Sequence, residues 1–142
     1  MGFGKTESDF SPNRGILLMT NTVKSFHDLV AWQKAMELVT EIYKVSQKFP
    51  KEEMFGLTSQ IRRAAVSIPS NIAEGRVKSS TGEFQQFLYH ARGSLAEVET
   101  QLIIAINLGY LQKSELTHIM EVISRTGRLL HGLLSAIKKT KP

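Results

Sequence analysis

Seven apolar residues, Phe84, Leu88, Ala91, Leu95, Val98, Leu102 and Ala105, recur at unbroken steps of four and three. At about 100° per residue this spacing keeps all seven on one side of an α-helix, whereas a strand would throw alternate members to opposite faces. An isolated helix cannot bury such a seam, so the chain has to supply other helices to cover it.

Three more segments answer that need. From about Asp28 to Lys48, Leu29, Trp32, Met36, Val39, Tyr43 and Ser46 step by three and four, and Leu38, Ile42, Val45 and Phe49 widen the face. Asp28 stands where an N-cap belongs and Pro50 ends the helix. From about Phe55 to Gly75, Leu57, Ile61, Ala64, Ala65, Ile68 and Ile72 share a side. The third segment opens on Ser80-Thr81-Gly82-Glu83, a capping-box pattern, and closes at Gly109. The fourth carries Leu116, Met120, Ile123, Gly127, Leu130, Leu134 and Ile137, with Gln112 and Ser114 as alternative caps. No segment shows strand alternation between hairpin turns. The pattern predicts an all-α, antiparallel up-down four-helix bundle over residues 25–139, with a flexible leader at 1–24 and a basic end at 140–142.

Pro69 interrupts the second helical pattern. It deletes a backbone hydrogen bond and presses on the carbonyl of Ala65, yet Ile61, Ala65, Ile68 and Ile72 hold one face across it. A helix that continues with a kink at Pro69 is therefore expected, with Ser67, Ser70 and Asn71 supplying hydrogen bonds to the loosened backbone.

Composition narrows the function classes. In 142 residues, 42% hydrophobic and 22% charged content describe an ordinary globular chain of one domain. With no cysteine there is no disulfide framework, thiolate metal site or cysteine nucleophile. No apolar run approaches membrane-spanning length, and Gly15–Met19 is too short for a secretory core, so a cytoplasmic protein with no membrane partner is expected. Glu115-Leu116-Thr117-His118 has the Glu-x-x-His spacing of carboxylate-bridged metal bundles. It stands alone, sits in the first turn of its helix, and turns His118 outward from a core centred on Ile123. No phosphate-cradling glycine loop or nucleophile elbow is present. The expectation is a non-enzyme, with no catalytic or metal-binding residues, no cofactor and no small-molecule substrate.

Two surfaces exceed what a monomeric bundle needs. On the third helix Tyr89, Gly93, Ala96, Thr100 and Ile103 form a second four-three stripe away from the core, and Ile104 points outward as well. Val66 falls outside the core face of the second helix. Small residues mixed with isoleucines predict close packing by another copy, against the alternative of scattered surface hydrophobics. The other surface is basic. Phe26–Gly109 balances nine Lys/Arg with nine acids, whereas Tyr110–Pro142 holds six bases and two acids. Arg125, Arg128 and Lys139 share one outward line on the fourth helix, separated by small residues, with Lys138 and Lys141 near its end. Such a line can meet a phosphate backbone without reading sequence, though a solvated face favourable to a helix C-terminus looks the same. Arg76 and Lys78, expected in the loop before Ser80, and outward Arg63 would add contacts; Arg62 is as well suited to a carboxylate such as Glu74, Glu97 or Glu99.

The blocks "DLVAWQKAMELVTEIY", "FGLTSQIRRAAVSIPSNIAEG", "EFQQFLYHARGSLAEVETQL" and "NLGYL" resemble, in order, those of the bacterial 23S rRNA intervening-sequence protein family. Related to that family is the accessory variability determinant of diversity-generating retroelements. The resemblance runs from about Phe26 to Ile137; the leader and the Gln112-Lys113-Ser114 opening depart from it. It implies a bundle assembling as a homopentameric barrel and, for the retroelement relative, a basic surface engaging nucleic acid and a reverse transcriptase. The expectation is thus a non-catalytic homo-oligomer binding RNA or RNA/DNA, with a protein-interaction scaffold as the alternative.

Overall fold

The computed structural model describes residues 25–78 and 80–140. The leader expected at 1–24, and Lys141, lie outside them. Among the described residues there are four α-helices and no strand: α1 (Val30–Ser46), α2 (Leu57–Val77), α3 (Thr81–Asn107) and α4 (Thr117–Thr140). Short 3-10 turns at Phe26–Asp28, Lys51–Glu53 and Lys113–Leu116 precede α1, α2 and α4. The protein is a four-helix bundle. α1 and α3 occupy opposite corners, and each packs on both α2 and α4.

All seven residues of the four-three seam on α3 are buried. They meet Ile61, Ala65, Ile68 and Ile72 of α2 and Ile123, Leu130, Leu134 and Ile137 of α4, all buried as well. Full burial of each large aliphatic side chain contributes about 1.5–3 kcal/mol, so the helices are held by packing rather than by propensity.

The buried face of α1 differs from the expected one. Its centre is Ala31, Ala35, Leu38, Ile42 and Val45, while Met36 and Tyr43 are exposed and Trp32 and Val39 only half-buried. Two alanines at 2% and 0% exposure let neighbouring helices come close, and the bulky residues on the flank are left at the rim. Asp28 does not cap α1. It ends a 3-10 turn capped by Ser25, whose Oγ accepts from the His27 N–H, and Leu29 holds the cap position of α1 without a side-chain bond.

Other boundaries follow their signals. Ser80 Oγ accepts from the Glu83 N–H at 3.1 Å, as the capping box requires. At the far end of α3, Gly109 adopts φ +81°, the left-handed conformation that glycine takes without a Cβ clash, and the Tyr110 N–H returns to the Ala105 carbonyl at 2.9 Å. Gln112 prevails over Ser114 as the start of the next element, because Glu115 Oε1 accepts its N–H at 2.8 Å.

The helix α2 runs on through Pro69, which is buried. Asn71 Nδ2 donates to the Ser67 carbonyl at 2.7 Å and to Ser67 Oγ at 2.9 Å. Ser67 Oγ also pairs with Ser94 Oγ at 2.9 Å, tying this part of α2 to α3. Ser70 is exposed.

Candidate nucleic-acid interface

The basic line on α4 exists as a surface. Arg125, Arg128, Lys138 and Lys139 are all exposed, while Thr126, Leu130 and Ile137 on the opposite side of the helix are buried. Glycine and serine at 132 and 135 lie between the cations and are half-buried, so neither of these positions raises a bulky side chain over the line. Arg128 Nη1 donates to Ser124 Oγ at 2.7 Å, which orients the guanidinium along the helix. Among the described residues, no carboxylate lies within 4.0 Å of Arg125, Arg128 or Lys139. At a rise of about 1.5 Å per residue the line extends about 20 Å from Arg125 to Lys139, a span of several phosphates.

The line also has a definite side. His118, two turns before Arg125, places Nε2 3.2 Å from Glu37 Oε2 on α1. Arg125 therefore sits toward the α1 edge of α4, whereas Leu116, Met120 and Gly127 face α3, where Gly127 lies beside Leu95.

The remaining cations separate. Lys78 is exposed at the C-cap of α2, with Nζ 5.8 Å from the Phe87 ring centroid. Arg63 is exposed and lines a cleft of about 460 Å³ between α2 and α3, together with Phe55, Glu97 and Gln101. Arg76 departs from its expected place. It belongs to the last turn of α2 rather than to a loop and is only 7% exposed, because the helix extends to Val77 and turns this side chain inward. It cannot present its guanidinium to a polymer on the surface.

Arg62 does not pair with Glu74, Glu97 or Glu99. Its Nε donates to Ser46 Oγ at 2.8 Å, its Nη2 to the Tyr43 carbonyl at 3.4 Å, and its guanidinium lies 4.7 Å from the Tyr43 ring centroid. It closes the C-terminal turn of α1, where carbonyls lack helical partners.

The carboxylates with displaced pKa values are structural anchors. Glu53 accepts the Leu57 N–H at 3.0 Å and the Tyr110 hydroxyl at 2.7 Å, and these two bonds hold its carboxyl below the usual range. The same contact pushes the Tyr110 hydroxyl up. Lys48 and the Gln112 N–H lower Glu115, and Lys34 with a lesser part from His118 lowers Glu37. Glu115 thus engages Lys48 just past the end of α1 and His118 engages Glu37 on α1, rather than one another, and no group of three possible metal ligands occurs among the described residues. Nor, among those residues, is any helix long and apolar enough to cross a membrane.

The expected self-contact residues are accessible. Gly93, Ala96, Ile103, Ile104 and Val66 are exposed, and Tyr89 is half-buried with Arg92 stacked 4.9 Å from its ring centroid. Two surface features escaped the periodicity. Phe55 is 96% exposed, and a cavity of about 650 Å³ opens between α3 and α4. Phe55 lies outside every helical repeat, which was the one signal available for it; the cavity had none.

Comparison with known proteins gives a consistent placement. No curated protein matches the chain. A crystal structure of a protein of unknown function from the S23 ribosomal protein family of Bacteroides thetaiotaomicron VPI-5482 has the same fold, with a TM-score of 0.69 at 24% identity. The similarity covers 75% of this chain and 96% of that one. The family model described as 23S rRNA-intervening sequence protein matches residues 27–132, which takes in α1, α2, α3 and the first two-thirds of α4. A bundle carrying that match over most of its length belongs to the 23S rRNA-intervening sequence protein family.

Proposed function

We propose that the protein is a non-catalytic, cytoplasmic homo-oligomer that binds nucleic acid through phosphate contacts on α4. The observation that carries this reading is the line of Arg125, Arg128 and Lys139, exposed and, among the described residues, with no carboxylate within 4.0 Å. Membership in a family named for an rRNA insertion supports RNA as the polymer. Lys138 and Lys78 are accessible enough to add contacts, and Arg63 would do so from the α2–α3 cleft. The small residues and isoleucines on the outer side of α3, with Val66, suit packing against further copies, the pentamer being the assembly the resemblance implies. A reverse transcriptase is the protein partner the same resemblance suggests.

The test is binding to single- and double-stranded RNA and DNA over a salt series. Each neutralised phosphate contributes a slope of about −0.7 to −0.9 in log K against log[salt]. Three contacts therefore predict an affinity loss of about 20- to 40-fold between 50 and 200 mM salt per engaged protomer. The double variant Arg125→Glu with Arg128→Glu should abolish binding while circular dichroism stays helical. Undetectable or salt-insensitive binding would favour a scaffold for protein partners, in which the cations only solubilise α4.

A further inference from the structure

A phenylalanine with 96% of its surface in water is an unusual element of a folded chain, because aromatic side chains supply much of the energy of cores and contacts. Phe55 stands on the connection into α2, at the rim of the α2–α3 cleft, and Met54 beside it is 52% exposed. On the α3–α4 side the surface has the opposite shape. There Leu102, Ile103 and Ile106 of α3, with Leu116 and Met120 on the α4 side, line the cavity of about 650 Å³, and Lys113 stands among its lining. Both features belong to one end of the bundle. The Tyr110 hydroxyl bonds Glu53 across that end at 2.7 Å, and Lys48 bonds Glu115.

We propose that Phe55 of one copy seats in the α3–α4 cavity of the next, as the contact that closes a ring. The inference rests on the homo-oligomer reading above and specifies its interface. Rotation about an axis running along the helices keeps every residue at its own height, so a projection and its receptor must stand at one level, and these do. They lie on adjacent sides of the bundle that share α3 as their corner. Contacts on two different patches are head-to-tail, and when successive copies are related by rotation alone, with no shift along the axis, such contacts close into a ring instead of extending a filament. At the level of the contact the corner is apolar and open, with Ile103 48% and Ile104 40% exposed, and further along α3 exposed Gly93 and Ala96 leave it slim. Charge agrees with shape, since exposed Glu52 stands three residues before Phe55 and exposed Lys113 stands by the receptor. Arg125 lies toward the α1 edge, away from the contact, and so stays open to a polymer.

Three variants test this by light scattering and sedimentation. Phe55→Ser removes a side chain that touches almost nothing in the single chain, so folding is retained, and the mass should fall to that of a single chain. Ile103→Glu, at a cavity-lining residue 48% exposed, should do the same. Mixing the two should give a one-to-one dimer and no larger species, because one intact Phe55 and one intact cavity remain. Exchange of charge should weaken assembly in Glu52→Lys alone and restore it when Lys113→Glu is added. If Phe55→Ser keeps the wild-type multimeric mass, the cavity has some other occupant and this proposal falls while the homo-oligomer reading stands. If the wild-type chain is itself monomeric at all concentrations, both fall.

Discussion

Replacing Gly75 with alanine would probe the closest helix contact in the bundle. A Cβ built there lies 2.7 Å from Phe87 Cβ, 3.1 Å from Phe84 Cδ1 and 3.4 Å from the Phe84 carbonyl oxygen. Carbon atoms rest at about 3.5–4.0 Å, so α2 and α3 would have to part by about 1 Å. A flexible side chain could swing aside, but a Cβ moves only with its backbone. Overpacking of this kind costs about 1–3 kcal/mol, and the exchange of glycine for alanine within a helix returns about 0.5–1 kcal/mol. The expected net is a destabilisation of about 0.5–2 kcal/mol, read as a lower urea midpoint with unchanged m at a fixed protein concentration. Gly82→Ala is the control, because its Cβ would meet nothing within 4 Å; it should be neutral or raise stability by up to about 0.5 kcal/mol. Gly75→Ala as stable as wild type or more so, with the control behaving as stated, would refute the close-approach argument.

Thr126 is fully buried and gives its hydroxyl to the Val122 carbonyl at 2.7 Å, a carbonyl that its own helix can already satisfy. Thr126→Val keeps the shape and should change stability by less than about 1 kcal/mol in thermal or urea unfolding; a larger loss would show that the hydroxyl serves a contact beyond α4. Glu53→Ala should lower stability at pH 7 by freeing the Leu57 N–H and the Tyr110 hydroxyl. The Glu53 carboxyl is held below its reference value of 4.5, so its contribution is present above that pH and fades as pH falls toward the lowered value. Unfolding curves of wild type and variant should therefore converge below about pH 4.5, and a constant offset there would contradict the linkage.

Much of the bundle is legible in the chain because helices declare themselves through spacing. The seam on α3, the Ser80 cap and the Gly109 stop needed no tertiary knowledge, since each depends on residues within a few positions of one another. So did the outward line of Arg125, Arg128 and Lys139, which follows from the buried face of its own helix. Breadth of pattern was less informative. On α1 two overlapping apolar faces competed, and the alanine-lined one was buried because it lets neighbouring helices approach.

Other outcomes rest on groups brought together from distant parts of the chain. Arg76 is buried because α2 continues two residues past Gly75 into what reads as a loop, and Arg62 closes α1 because Ser46 and the Tyr43 carbonyl lie beside it, 16 and 19 residues earlier. Glu53 and Tyr110 bond across 57 residues, and the exposure of Phe55 depends on where that junction leaves it. Periodicity encodes which side of a helix avoids water; which partner a side chain meets is decided only when the helices pack, because that choice depends on distances between segments that no local pattern records.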